Sequence, residues 1–277
     1  MNCKKNLIVI TWDGIQVPYK YVYFDVQSEF EIILFNYSGI ITSINEDKSK
    51  YIITEKTENK GQVLSSVHHF LKSNNLEYNY IGIIDDDIIF KISDFNYMLH
   101  IANQHNLHVF QPSISTDSFF SHRKFINNPQ CLISKTTWVE IMAPFYKKEL
   151  FEACGEYFNI SISSQGLDCF MMPVLQRIHN MNNTAVVHAA IIKHTRPIRT
   201  HLRTYSNGLT GLQEIELIRQ KALEIVNDPR FKDKFDKNFI RLVLMEGNPY
   251  FIEIEVFYRK VSKLFKNALF QLKQLAQ

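Results

Sequence analysis

Hydrophobic and polar positions in the first 110 residues form short apolar runs separated by longer amphipathic segments. The short runs predict buried strands at residues 6–10, 31–35, 51–54, 80–84 and 108–111. The amphipathic segments predict helices at residues 60–73 and 95–104, where apolar side chains recur every three or four positions. Strands that alternate with helices indicate an α/β domain with a largely parallel sheet.

The pattern is less regular further along the chain. Residues 113–135 are rich in polar side chains and predict a long loop of the functional kind. Further elements follow: a strand at 138–142, a helix at 147–158, a polar turn at 161–166 that leads into a helix ending near 178, and a strand at 185–192. Beyond Gly211 the pattern is mainly helical, clearest at 212–226. We therefore expect an α/β domain at 1–205 and a helical C-terminal extension at 206–277.

Composition and charge narrow the class of protein. The 277 residues carry a net charge of only +3, which gives no argument for nucleic-acid binding. No apolar run approaches the roughly 18 to 20 residues that a membrane-spanning helix needs. The four cysteines (Cys3, Cys131, Cys154, Cys169) are too scattered for a zinc site or a disulfide framework. A globular protein of the reducing cytoplasm is the expectation.

Three consecutive aspartates, Asp85-Asp86-Asp87, close the apolar run at 80–84. Adjacent carboxylates raise one another's pKa unless a cation offsets them. At the carboxyl edge of a parallel sheet, where α/β folds bind ligands, such a cluster suits a hard divalent ion and a diphosphate. A solvated acidic turn is the simpler alternative, but the apolar residues on both sides of the triplet argue against plain exposure.

Further candidates lie downstream. Asp168, in the first turn of a predicted helix, is either a cap or a general base that activates an acceptor hydroxyl. His194 follows a strand and is placed to complete a metal shell. Arg196 and Arg199 are suited to pair with phosphate oxygens, unless they belong to a solvated basic turn. Glu140 is a charge inside a predicted apolar strand, so it lies on an edge or points into a site.

Taken in order, these segments resemble a known enzyme class. The segments are a Lys-Gly helix start at Lys60, the aspartate triplet, and the stretches Gln-Pro-Ser at 111–113, Val-Glu-Ile-Met-Ala-Pro at 139–144, Gly-Leu-Asp at 166–168 and His-Thr-Arg-Pro at 194–197. This order, over residues 5–200, is similar to GT-A-type glycosyltransferases, and within them to the domain-of-unknown-function 707 family. The resemblance implies a Rossmann-like, sugar-nucleotide-binding domain at 1–205 with an Asp-x-Asp metal site.

The resemblance also implies roles for single residues. Asp87, Asp85 and His194 would form the site for Mn²⁺ or Mg²⁺, with Asp87 and His194 as direct ligands and Asp85 in a supporting position. Asp85 and Asp86 would also contact the bound donor, and Asp86 would hold the turn. Lys60 and Arg196 would contact the bound donor, and Asp168 matches the acidic position that serves as catalytic base in inverting members. Two departures stand out: Gln165 replaces a bulky residue, and His188 replaces an acidic one, which leaves open which histidine faces the metal.

The expected activity is a metal-dependent, inverting transfer of a sugar from a nucleotide-sugar donor to a glycan or lipid-linked acceptor, as in bacterial surface polysaccharide or lipopolysaccharide assembly. Residues 256–277 form a basic amphipathic pattern that suits either a membrane surface or a packing partner, so peripheral membrane contact is a further expectation. The alternatives are a metal-dependent nucleotidyl- or phosphotransferase and a non-catalytic glycan-binding module. The absence of a Gly-rich P-loop counts against the phosphotransferase.

Overall fold

The computed structural model describes residues 5–40, 48–197 and 203–246, with side chains as far as residue 241. Contacts divide the chain into two compact units, Met1–Lys234 and Phe235–Gln277. The predicted division at residues 205 and 206 stays a prediction. The basic amphipathic segment at 256–277 lies outside the described residues.

The sheet is built mainly from strands that run in one direction. The strands are β1 (Asn6–Trp12), β2 (Val22–Tyr23), β3 (Phe30–Asn36), β4 (Tyr51–Thr54), β5 (Tyr80–Ile84), β6 (Ile88–Lys91), β7 (Val109–Ile114), β8 (Ile133–Lys135), β9 (Phe145–Lys147) and β10 (Thr184–His194). Their order across the sheet is β2-β6-β10-β7-β9-β5-β1-β3-β4, with β8 paired to β10. β9 runs antiparallel to both β5 and β7, so β4, β3, β1, β5, β7 and β10 all point the same way. The predicted α/β class with a mostly parallel sheet is confirmed.

The described part of the chain contains six α-helices, of which the first five belong to the Met1–Lys234 unit. They are α1 (Lys60–Ser73), α2 (Ile92–Gln104), α3 (Lys148–Ala153), α4 (Met172–Ile178), α5 (Gly211–Val226) and α6 (Lys237–Glu246). Short 3-10 helices occur at Arg123–Phe125, Gly155–Ile160 and Pro229–Lys234, and a π-helical turn at Leu167–Met171 leads into α4. The Asn59 side chain accepts a hydrogen bond from the backbone N–H of Lys60 (2.7 Å), which fixes the start of α1.

The hydrophobic core lies between the sheet and its helices. Its central strands are buried on both faces, as the all-apolar run of β5 illustrates. Aromatic rings fill the space between elements: Phe90 stacks on Phe95 with centroids 4.1 Å apart, and Phe110 stacks on Phe145 at 5.1 Å. This rigid layer holds the carboxyl ends of the parallel strands in fixed positions.

One predicted strand is wrong. Residues 138–142 form an irregular segment, and the strand in this region is β9, which begins after Pro144. Proline has no N–H to donate to a ladder, so pairing with β5 starts at Phe145. The segment's backbone is satisfied in other ways: Met142 O accepts from Asp85 N (3.1 Å), and Glu140 N donates to the Gln111 side chain.

Strand β6 was not predicted, although its apolar residues were noted. It follows the aspartate triplet directly and pairs antiparallel with the end of β10, so that Ile88 lies opposite His194. In the Phe235–Gln277 unit the described part is α6 and the residues before it. Among the described residues, no helix is long and apolar enough to cross a membrane.

Candidate active site

The carboxyl ends of the parallel strands open into a cavity of about 400 Å³, which we call the triplet cavity. Its wall is built from residues that end or follow β1, β3, β4 and β5, together with the start of α1 and the segment after β10. These residues are Thr11, Tyr37, Thr57, Glu58, Asn59, Lys60, Val63, Asp85, Asp86, Asp87, Arg196, Pro197 and Arg203. Parallel strands converge at this edge, which is where open α/β sheets bind ligands.

Asp85 is held by the buried side chain of Lys60. The Lys60 ammonium donates to Asp85 Oδ1 (2.5 Å) and to the carbonyl of Ile83 (3.0 Å). Lys60 is only 5% exposed, so its charge is offset mainly by this carboxylate and the neighbouring carbonyl dipoles. Lys60 and Asp85, each predicted to contact the bound donor, therefore form an ion pair in the wall of the cavity.

Asp86 and Asp87 share the guanidinium of Arg196. Arg196 Nε donates to Asp87 Oδ2 (2.9 Å), and Arg196 Nη2 pairs with Asp86 Oδ1. The hydroxyl of Tyr37 donates to the other Asp86 oxygen (2.9 Å). Asp86 is thus a paired member of the cavity wall, and Tyr37 is a site residue that sequence reasoning did not identify.

Asp87 and His194 meet because β6 pairs with β10. His194 Nε2 lies 3.1 Å from Asp87 Oδ2, and His194 Nδ1 lies 3.1 Å from the carbonyl oxygen of Phe119. Burial works against ionisation of Asp87, but the contacts from His194 and Arg196 lower its pKa below the usual range. The predicted proximity of Asp87 and His194 is present in the structure.

The chemistry of this pair fits a divalent cation. Asp87 Oδ1 is buried with no hydrogen-bond partner, so one carboxylate oxygen is left for a ligand. The carbonyl of Phe119 can hold His194 with a proton on Nδ1, so that loss of the Nε2 proton, which lies toward Asp87 Oδ2, would make Nε2 available to coordinate. Within the described ranges, no group of three or more His, Cys, Asp or Glu side chains forms a metal cluster. Asp87 and His194 would therefore hold an ion together with ligand or water oxygens, and Asp85 turns to Lys60.

A second cavity of about 250 Å³ adjoins the first, and we call it the Glu140 cavity. Both cavities share Asn59, Lys60, Asp85, Asp87 and Pro197 as wall residues. The Glu140 cavity adds Ser121, His122, Glu140, Ile141, Met142, Ser163, Ser164, Gln165, Asp168 and His194. The aspartate triplet and Asp168 therefore lie on a continuous surface, as the resemblance implies.

Glu140 and Asp168 are acids of unequal strength in this cavity. Burial raises the pKa of Glu140 to about 8, and the nearby Asp168 adds to the rise. Burial also raises the pKa of Asp168 to about 6, although a hydrogen bond from the backbone N–H of Cys169 (2.8 Å) opposes it. At neutral pH Asp168 is mainly ionised and Glu140 mainly protonated. Two carboxyls whose pKa values are pushed apart are suited to different roles in proton transfer.

The serine loop at 161–165 forms one wall of the Glu140 cavity and is held from two sides. Glu214 on α5 is fully buried and accepts hydrogen bonds from the backbone N–H groups of Ile162 (3.0 Å) and Ser163 (2.7 Å). From the other side, Gly61 on α1 lies against the loop, because a Cβ built there would sit 1.9 Å from Ser161 O. Only glycine permits this approach between α1 and the loop.

His188 lies in a structural network outside both cavity walls. Its Nδ1 accepts from the backbone N–H of Asn128 (3.1 Å), and its Nε2 lies 2.7 Å from Ser134 Oγ. Because Nδ1 is an acceptor here, the proton is on Nε2 and points to Ser134, so this pair is not an activated nucleophile. Of the two candidate histidines, His194 contacts Asp87.

Several site residues carried no sequence signal. Gln111 and Glu214 act through contacts that span 29 and 51 positions in the chain. Thr57, whose Oγ1 is buried and has no partner in the described structure, lines the triplet cavity from a loop after β4. Arg199, predicted to bind phosphate, lies outside the described residues.

Comparison with known proteins identifies the fold. No family model matches this sequence and no curated protein sequence matches it, so membership of the domain-of-unknown-function 707 family is not supported. A crystal structure of S. aureus TarS 1-349 in complex with UDP-GlcNAc matches with a TM-score of 0.52 at 12% identity, covering 88% of this chain and 71% of that chain. TarS is a GT-A-like glycosyltransferase. The fold of this chain is of the GT-A type.

Two further structures match at lower similarity. S. aureus TarS 1-349 has a TM-score of 0.48 at 10% identity, covering 87% of this chain and 70% of that chain. The structure of A197 from STIV has a TM-score of 0.39 at 12% identity, covering 74% of this chain and 92% of that chain. The GT-A assignment does not depend on either of them.

Proposed function

We propose that this protein is a metal-dependent glycosyltransferase that moves a sugar from a nucleotide-sugar donor to a hydroxyl of a glycan or lipid-linked acceptor, with inversion. The observation that carries the proposal is the shared wall of the two cavities. One cavity holds carboxylates paired with cations, the other holds a carboxylate of raised pKa, and Asp87 lines both. The GT-A fold and the strand-edge location support the same function.

The nucleotide sugar would occupy the triplet cavity. The TarS structure with the same fold was determined with UDP-GlcNAc, which makes a nucleoside-diphosphate sugar the first donor class to test. Lys60 at the N-terminus of α1 and Arg196 after β10 present positive charge to the cavity. Helix N-termini and guanidinium groups both favour phosphate oxygens.

Asp87 and His194 would hold Mn²⁺ or Mg²⁺ next to this diphosphate. A bound divalent ion supplies charge stabilisation for the leaving nucleoside diphosphate. Arg196 would contribute in the same direction, since its guanidinium already lies against Asp86 and Asp87. Release of Asp87 Oδ2 from Arg196 would then accompany donor binding.

Asp168 would act as general base toward the acceptor. Its pKa of about 6 lets it stay ionised at neutral pH while remaining basic enough to take a hydroxyl proton. Its carboxylate also accepts a hydrogen bond from the backbone N–H of Cys169, within the first turn of the helical segment Leu167–Met171. The proton on the acceptor hydroxyl would move to Asp168 as the oxygen attacks the anomeric carbon.

The acceptor and pathway remain predictions. The expectation of a lipid-linked acceptor in surface polysaccharide or lipopolysaccharide assembly depended partly on residues 256–277, which lie outside the described structure. The two cavities support a hydroxyl-bearing acceptor without naming its carrier. Cytoplasmic location likewise stays a prediction.

The decisive experiment is a panel of nucleotide sugars incubated with the full chain and Mn²⁺ or EDTA. We expect one donor to raise the melting temperature and to be hydrolysed slowly to nucleoside diphosphate and free sugar, with Mn²⁺ but not with EDTA. Asp87→Asn should show neither the Mn²⁺-dependent rise in melting temperature nor the Mn²⁺-dependent hydrolysis. Asp228→Asn, at an exposed ion pair with Arg230, should behave as wild type. Release of nucleoside monophosphate or pyrophosphate would indicate a nucleotidyl- or phosphotransferase. Binding without turnover, even with acceptors added, would indicate a non-catalytic module.

A further inference from the structure

Glu140 presents a buried carboxyl oxygen to the Glu140 cavity without a hydrogen-bond partner. The residue is 6% exposed, and its Oε2 is buried and unpaired in the described structure. An unsatisfied buried polar atom lowers stability, and native structures retain few of them. Glu140 Oε2 is therefore available to hydrogen-bond a ligand, and the Glu140 cavity has room for one.

The surroundings hold Glu140 in place. The side-chain oxygen of Gln111 accepts a hydrogen bond from Glu140 N (2.5 Å), and Gln111 is itself buried in β7. Hydrogen bonds from the backbone N–H groups of Ser121 and His122 reach the Glu140 carboxyl. Because these contacts fix both the backbone and the carboxyl group, Oε2 is presented in a preorganised position.

Size and lining limit what can occupy the cavity. At about 250 Å³ it is smaller than the roughly 300–1,000 Å³ typical of pockets for drug-sized ligands. Its lining is rich in hydroxyl, amide and carboxyl groups from Ser121, Ser163, Ser164, Gln165 and Asp168. A small polyhydroxylated group, such as a single sugar ring, matches both the size and the polarity.

We propose that Glu140 carries a proton and donates a hydrogen bond from Oε2 to a hydroxyl of a saccharide or polyol acceptor, which turns a second hydroxyl of that molecule toward Asp168. The inference rests on the proposed glycosyltransferase function and assigns the acceptor class to this cavity. Glu140 is thereby an acceptor-binding residue, and Asp168 remains the base. The raised pKa of Glu140 agrees with this division, since a group that holds its proton at neutral pH cannot serve as the base there.

The test compares two nearly isosteric substitutions. Glu140→Gln keeps a neutral hydrogen-bond donor, whereas Glu140→Met fills the same volume without one. Binding of glucose, galactose, mannose, N-acetylglucosamine and sorbitol would be measured by saturation-transfer NMR in the presence of the donor nucleotide. We expect at least one compound to bind the wild type, Glu140→Gln to bind it within about threefold, and Glu140→Met to bind it roughly tenfold more weakly.

Controls separate this inference from the proposed function. Affinity for the nucleotide sugar should be the same in both variants, and Glu216→Gln, at an exposed ion pair on α5, should match the wild type in every measurement. If no nucleotide sugar binds the wild type, the proposed function fails. If the donor binds but no saccharide or polyol does, or if Glu140→Met binds them as the wild type does, the role of Glu140 is overturned while the function stands.

A pH series keeps the inference testable if Glu140→Met does not fold. Saccharide affinity of the wild type should fall above pH 8, where Glu140 loses its proton, by roughly tenfold per pH unit. Asp168 and Lys124 are the charged groups that act on Glu140, and His122 also lines the cavity. Asp168 is ionised throughout this range, and all three groups are present in both the wild type and Glu140→Gln. The same affinity profile in Glu140→Gln and the wild type would contradict the proposal.

Discussion

The two cavities differ in the charged groups that lie against their carboxylates. In the triplet cavity Asp85 lies against Lys60, while Asp86 and Asp87 lie against Arg196. In the Glu140 cavity burial dominates and raises the pKa values of Glu140 and Asp168. Burial raises the pKa values of Asp85 and Asp86 as well, and of the three aspartates only Asp87, with His194 and Arg196 against it, has a lowered pKa. Direct contact with two basic side chains therefore separates Asp87 from the other carboxyl groups of the site.

The largest expected effect comes from removing the base in the Glu140 cavity. Asp168→Asn keeps the shape of the side chain but cannot accept the acceptor proton, so we expect turnover to fall by about 10²- to 10⁴-fold. Affinity for the nucleotide sugar, which depends on the triplet cavity, should stay within about twofold. Steady-state kinetics and donor titration measure the two quantities, with Asp228→Asn as the matched control. Turnover equal to wild type would reduce Asp168 to a helix cap.

Breaking the buried ion pair in the triplet cavity should cost stability. Lys60→Met leaves the Asp85 carboxylate without its cation, and we expect the free energy of unfolding to fall by about 3 kcal/mol. The double variant Lys60→Met with Asp85→Asn should recover much of this loss, because the unpaired charge is gone, but should not recover donor binding. Urea denaturation measures the stability. Equal loss in the single and double variants would show that Lys60 acts by packing alone.

A smaller effect is expected from Arg196. Its guanidinium contacts Asp86 and Asp87 through two nitrogens, a geometry that lysine cannot reproduce. Arg196→Lys should weaken donor affinity by roughly tenfold, or about 1.4 kcal/mol. Because the side chain is half exposed, the melting temperature should change little. Donor titration and thermal denaturation test this together. Arg177→Lys on α4, outside both cavity walls, is the control.

A pH profile tests the role of Asp168 without any substitution. If ionised Asp168 is required, kcat should be half-maximal near pH 6 and should fall about tenfold per pH unit below that. An aspartate with its ordinary pKa of 3.8 would stay active down to about pH 4. Rates measured between pH 4.5 and 7.5 with saturating donor distinguish the two cases. A profile flat to pH 4.5 would place the base elsewhere.

Local signals in the sequence predicted local structure well. The bounds of β4, α1 and β5 match the predicted ones residue for residue, because polar residues flank each apolar or amphipathic run. Helix α2 begins at Ile92, three residues before its predicted start, because the apolar run after the triplet leads straight into the helix. The irregular segment at 138–142 resembles a strand in composition, and its lack of pairing depends on Pro144 and distant partners.

Long-range pairing set the limit of prediction for the site. The sequence placed Asp87 and His194 at strand ends, but their contact depends on the antiparallel pairing of β6 with β10, which joins residues 107 positions apart. Gln111, which accepts a hydrogen bond from Glu140 N, and Glu214, which accepts from the serine loop, are polar residues with no local sequence signal for these contacts. Their roles come from tertiary contacts that no local pattern encodes.

Gly61 has a consequence for how the two cavities are spaced. It brings the backbone of α1, whose first residue Lys60 holds Asp85, directly against the carbonyl of Ser161 in the serine loop. The spacing between the two cavities is therefore set by a contact between main chains at this point. We expect Gly61→Ala to push α1 away from the serine loop and so to change the distance between the two cavities.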